Sequence, residues 1–134
     1  MKVLLDTNMV LRFVLRDHES MSAAAYRLFA QAASGEVQLV LDPVIVAECC
    51  FVLSGKVYAY AKRDISMVLG KLVLLDGIVV DDAARVSDAL ELFARHNIDF
   101  ADAYLAATAR ANEIPVATFD HDFDKLGISL HPLL

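Results

Sequence analysis

A chain of 134 residues that is 57% hydrophobic is long enough for one domain with a sizeable core and too apolar for disorder. Its apolar runs fall short of the roughly 18 residues of a membrane span, Asp6 interrupts anything like a secretion signal, and the adjacent Cys49 and Cys50 read as reduced thiols of a cytoplasmic protein. The formal charge of −6 argues against a basic nucleic-acid surface, although carboxylates gathered around divalent cations produce the same balance.

Lys2–Leu5 is a short apolar run suited to a buried strand, and Met9–Leu15 has helical spacing. A second helix carries Met21, Ala24, Ala25, Leu28, Phe29 and Ala32 on one face and ends at Ser34-Gly35. Val37–Leu41 is another buried-looking strand. Asp42 and Pro43 then supply an N-cap and a first-turn proline for a helix over Val44–Leu53. Asp64 is expected to cap a helix bearing Ile65, Val68, Leu69 and Leu72, which Gly77 closes. Ile78–Val80 is a strand, Asp81 or Asp82 caps the helix of Val86, Leu90 and Phe93, and Asp99 caps one from about Phe100 to Asn112. Ile114–Phe119 and Ile128–Leu130 complete five expected strands. The alternation predicts a single α/β domain over 1–134 with a mostly parallel sheet.

Most acids have an ordinary place at helix starts or on solvated faces, but four are harder to dismiss. Asp6 ends the first strand, at the sheet edge where α/β ligands bind; an N-cap is the plain alternative. Glu48 shares a helical stripe with Val44, Phe51 and Val52, so it is expected to face the core, where an unpaired carboxylate must be neutral, paired or bound to a cation. Asp102 lies one turn into its helix, either as a capping-box partner to Asp99 or as a second carboxylate needing a positive neighbour. Asp120 ends the strand "PVATF", with Asp122 and Asp124 following. Oxygen donors without a Cys/His set favour Mg²⁺ or Mn²⁺ over zinc. No G-x-S-x-G or phosphate-loop motif is present.

Strand-then-"DTN", the glutamate in the helix after the second strand, "DFADAYLAATA" and "VATFDHDF" together resemble the PIN domain, most closely the VapC-type toxins of toxin–antitoxin pairs. The resemblance covers essentially the whole chain. It implies a three-layer α/β/α sandwich with about five strands. It also implies an acidic quartet of Asp6, Glu48, Asp102 and Asp120, with Asn8 and Thr118 ordering the site, Asp99 in support and Asp122 competing with Asp120. The implied activity is a Mg²⁺- or Mn²⁺-dependent endoribonuclease, the toxin of a pair, restrained by an antitoxin protein. Arg12, Arg16, Lys62 and Arg63 are candidates for a local RNA-binding rim, with solvated helix faces as the plainer alternative. A mean hydropathy of +0.50 favours a homodimer.

Two rivals stand beside this reading. One is a catalytically silent PIN fold serving as an interaction module. The other is a haloacid-dehalogenase-like phosphotransferase with Asp6 as nucleophile, which wants a second aspartate where this chain has Asn8.

Overall fold

The computed structural model describes residues 1–133. The chain forms two compact units, one of Met1–Asp81 and one from Asp82 onward.

The first unit is built on a parallel sheet of three strands, β1 (Lys2–Leu4), β2 (Gln38–Val40) and β3 (Ile78–Val79). Their order is β1-β2-β3, with Lys2 opposite Gln38 and Leu39 opposite Ile78. Helices α1 (Thr7–Leu15) and α2 (Glu19–Ala33) connect β1 to β2. Helices α3 (Pro43–Ser54) and α4 (Lys62–Val73) connect β2 to β3. Parallel neighbours require such crossovers, because a tight turn reverses the chain. Val10, Phe29, Leu39, Val46, Cys49, Ile65 and Leu69 are buried in this unit.

Local chemistry sets most of its element ends. Asp42 Oδ1 accepts from Val44 N at 2.9 Å, and Pro43 occupies the first turn of α3, where its missing N–H costs nothing. Gly77 has φ +84°, and a Cβ there would stand 2.3 Å from the Ala32 carbonyl oxygen. Only glycine meets both demands. Helix α4 departs from expectation: it begins at Lys62 behind Ala61, which makes no side-chain cap. Asp64 instead lies inside the first turn, where the helix dipole favours a carboxylate.

The second unit contains α5 (Ala83–Arg95) and α6 (Phe100–Asn112), followed by a 3-10 helix at His121–Lys125. Asp82 caps α5 through its bond from Arg85 N at 3.1 Å. Val86, Leu90 and Phe93 of α5 are buried, as are Phe100, Ala103, Ala106 and Ala107 of α6.

The expected fourth and fifth strands do not form. Ile114–Phe119 and Ile128–Leu130 meet only in an isolated parallel bridge between Val116 and Leu130, so the sheet has three strands rather than about five. Pro115 offers no donor to a ladder. Past Val116 the backbone turns into local bonding, with Asp120 N donating to Thr118 Oγ1 at 2.9 Å.

Among the described residues no helix is long and apolar enough to cross a membrane. Cys49 and Cys50 are free and buried. Burial pushes both thiols up to about 12, with the Glu48 charge adding to the effect at Cys49. Burial of this kind disfavours the thiolate form of both.

Candidate functional site

In the first unit Asp6 is the N-cap of α1, its Oδ1 accepting from Met9 N at 2.9 Å. One oxygen is therefore spent on the cap, and the exposed carboxylate keeps further lone pairs for a ligand. Thr7, the next residue, donates from Oγ1 to Glu48 Oε2. The first turn of α1 and the middle of α3 are thereby joined, and Glu48 is held in one orientation.

The Glu48 stripe does not face the core. Glu48 is exposed, and its stripe neighbours Val44 and Phe51 are 64% and 79% exposed. The buried side of α3 is Val46, Cys49, Cys50 and Leu53. Asn8, expected to order the site, directs its Nδ2 toward Met21 Sδ at 3.9 Å, a weak contact with α2 rather than with a carboxylate.

In the second unit Asp99 stands at the N-cap of α6 without a side-chain cap bond. The capping-box explanation of Asp99 and Asp102 therefore does not hold. Burial, followed by the charges of Asp120, Asp99 and Asp122 in that order, raises the Asp102 pKa. Like charges around a partly desolvated carboxylate make its ionised form costly. Asp120 accepts from Asp122 N at 2.8 Å and caps the 3-10 helix. Thr118 braces the Asp120 backbone as described above. Asp120 contributes more to the raised Asp102 pKa than Asp122 does.

Ion pairs join Arg12 with Asp17, Arg85 with Asp82 and Arg95 with Glu91. Asp6 and Glu48 of the first unit, and separately Asp102 and Asp120 of the second, offer only oxygen donors, the chemistry of a hard divalent cation. Among the described residues no three His, Cys, Asp or Glu side chains are arranged as a finished metal site.

Residues 3–128 match the PIN domain. The chain belongs to the PIN domain family. PIN domains are typically nucleases, and the parallel sheet and six helices of the described residues are consistent with that fold. Comparison with curated proteins finds no match.

Within this PIN domain the expected basic rim divides. Arg12 is not free for RNA: its side chain is 15% exposed and pairs with Asp17 at 2.7 Å, and it donates to Tyr58 Oη at 3.2 Å. These partners raise its pKa, the Tyr58 bond contributing most. Arg16 is exposed at the end of α1, its guanidinium 5.8 Å from the Tyr26 ring centroid. Lys62 is half-buried and Arg63 exposed, both in the first turn of α4.

Thr7 is the residue that sequence reasoning missed. A threonine between Asp6 and Asn8 reads as a turn residue, and its partner lies 41 positions away. The signal that was available is the pairing of a hydroxyl after a strand with a lone carboxylate in an otherwise apolar helix.

Proposed function

We propose that this PIN domain is a metal-dependent endoribonuclease, the VapC-type toxin of a toxin–antitoxin pair. Asp6, Glu48, Asp102 and Asp120 are its working carboxylates. The observation that carries this reading is Asp102, partly desolvated and surrounded by the charges of Asp99, Asp120 and Asp122. Carboxylates gathered at a cost to the folded chain are expected where a cation is to be held.

Asp6 and Glu48 in the first unit, and Asp102 and Asp120 in the second, would each offer oxygen ligands to Mg²⁺ or Mn²⁺. Such an ion supplies an activated water and offsets charge developing on a phosphodiester. The chain's own residues do the positioning. Thr7 fixes the Glu48 carboxylate, the α1 cap fixes Asp6, and Thr118 with the Asp122 N–H fixes Asp120. Asp99 and Asp122 add negative charge that strengthens cation binding. Arg16, Lys62 and Arg63 remain candidates for phosphate contacts, and Arg12 serves the fold.

A protein partner belongs to the same proposal. A groove of about 230 Å³ in the first unit is lined by Val14, Leu15, Leu53, Tyr60, Ile65 and Val68, with Asp64 as its one charged residue among the described residues. Val57 and Leu74 are 87% and 76% exposed. Exposed apolar surface of this kind supports a cognate antitoxin and a homodimer. The free, buried thiols of Cys49 and Cys50 suit a reducing cytoplasm.

The test is a panel of structured RNAs incubated with the purified protein in Mg²⁺, Mn²⁺ or chelator, with the cut sites mapped. Discrete cuts that chelator abolishes support the reading. Intact RNA under all three conditions rejects it in favour of the silent interaction module.

A further inference from the structure

Phe119 is 92% exposed, although it follows the buried Val116 and directly precedes Asp120. A lone exposed apolar side chain is ordinary. This one stands directly beside a candidate catalytic acid, on a backbone tied down on either side. Val116 is anchored on both sides, its N donating to Ser129 O at 3.0 Å and its O accepting from His131 N at 2.8 Å. The residues flanking the ring are tied to each other by the bond from Asp120 N to Thr118 Oγ1, so little backbone freedom remains to be lost on binding.

The ring borders a cavity of about 300 Å³ in the second unit, whose lining includes Asp120, His121, Asp124, Leu130 and His131. That volume is at the lower end for small-ligand sites, about 300–1,000 Å³. Among the described residues the lining contains two carboxylates and no Lys or Arg, so a free anionic ligand such as inorganic phosphate or an acidic peptide is disfavoured. A flat, neutral heteroaromatic meets no such penalty. It finds Phe119 and Leu130 as apolar surface. His121 Nδ1 and Asp124 Oδ2, 3.2 Å apart, offer polar atoms for its edge.

We propose that Phe119 is the stacking platform for one unpaired nucleobase of the substrate RNA, in the cavity that Asp120 shares. The proposal rests on the nuclease reading above and adds to it a preference for single-stranded substrate. Stacking tolerates any base because each has a π-face. Phe119 acts here as a positioning residue. It locates the strand beside Asp120 without touching the reacting phosphorus.

The chain contains no tryptophan, so Phe119→Trp places a sole indole fluorophore at the platform. In chelator, with no turnover, its emission is expected to quench saturably with an unpaired oligoribonucleotide and to stay unchanged with a duplex of the same sequence. In the cleavage assay Phe119→Ala should raise KM for unpaired RNA about tenfold and leave kcat nearly unchanged, with Phe119→Tyr restoring the wild-type value. Indole emission that does not respond to unpaired RNA, in a Phe119→Trp protein that still cuts it, overturns the proposal. So does an unchanged KM in Phe119→Ala. A change of oligomeric mass with RNA kinetics unaltered also overturns it, assigning Phe119 to a protein contact. Quenching in a protein that never cuts RNA leaves the stacking platform standing and removes the nuclease reading.

Discussion

The Thr7 hydroxyl donates to the Glu48 carboxylate across 41 residues of sequence. It joins the residue after Asp6 to the one acid of an otherwise apolar helix. A carboxylate on an exposed helix face ordinarily samples several rotamers. This one is held by a donor whose own backbone lies in the first turn of α1, beside the Asp6 cap. Thr7→Val should therefore lower RNA cleavage by about 10–100-fold, the usual loss when a ligand's supporting partner is removed. Thr7→Ser should retain most of the activity. Cleavage rates with thermal melts as the folding control check both.

The raised Asp102 pKa gives a stability prediction whose sign is opposite to that of a salt-bridged acid. A carboxyl whose folded pKa lies above its unfolded value binds its proton more tightly in the folded state. Its penalty is therefore absent well below the ordinary value of 3.8 and fully present once the pH exceeds the raised folded value. In chelator at pH 7, Asp102→Asn should melt above the wild type. The difference should shrink as the pH falls toward and below 3.8. Mg²⁺ or Mn²⁺ should stabilise the wild type more than the variant, because ligands that bind only the folded state stabilise it. Calorimetric melts across pH, with and without metal, measure each part.

Asp120 and Asp122 are separable by a pair of conservative changes. Asparagine is also a good N-cap, so Asp120→Asn should keep the 3-10 helix while losing cleavage. Asp122→Asn should retain activity within about tenfold, since Asp122 adds charge near Asp102 without being one of the proposed ligands. The reverse ranking would move the fourth ligand to Asp122.

Arg12 and Arg63 should behave differently although both are arginines of the first unit. Arg12→Ala leaves Asp17 and Tyr58 without their guanidinium and should cost roughly 1–2 kcal/mol of stability. Exposed Arg63 should cost little stability. Its removal should weaken RNA binding and reduce the salt slope by about one if it contacts a phosphate. Denaturant titrations and salt-dependent binding separate the two roles.

Much of the first unit was legible because its signals are local. Asp42-Pro43 announces the start of α3 and Asp6 caps α1; of the face expected for α2, Ala25, Phe29 and Ala32 are buried, while Met21 and Ala24 are exposed. The orientation of α3 was not legible. Val44, Ile45, Val46, Cys49, Cys50, Phe51 and Val52 are apolar on every side of the helix, so the period points to no single face. Glu48 was placed inward when its stripe is outward. The last two strands failed for a different reason. Ile114–Phe119 and Ile128–Leu130 have strand-like composition, but ladders depend on partners distant in sequence and on donors that Pro115 lacks. Among the acids, type and spacing were readable. The coupling of Asp102 to Asp99, Asp120 and Asp122 and the Thr7–Glu48 bond required the fold.

The most direct test of the account is single-turnover cleavage of one mapped RNA, in Mn²⁺, by Asp6→Asn, Asp102→Asn and the double variant. If acids of both units serve one reaction, each single change removes nearly all cleavage and the double change removes little more, as expected for residues that act as a unit. Full activity in folded Asp6→Asn or folded Asp102→Asn would contradict it.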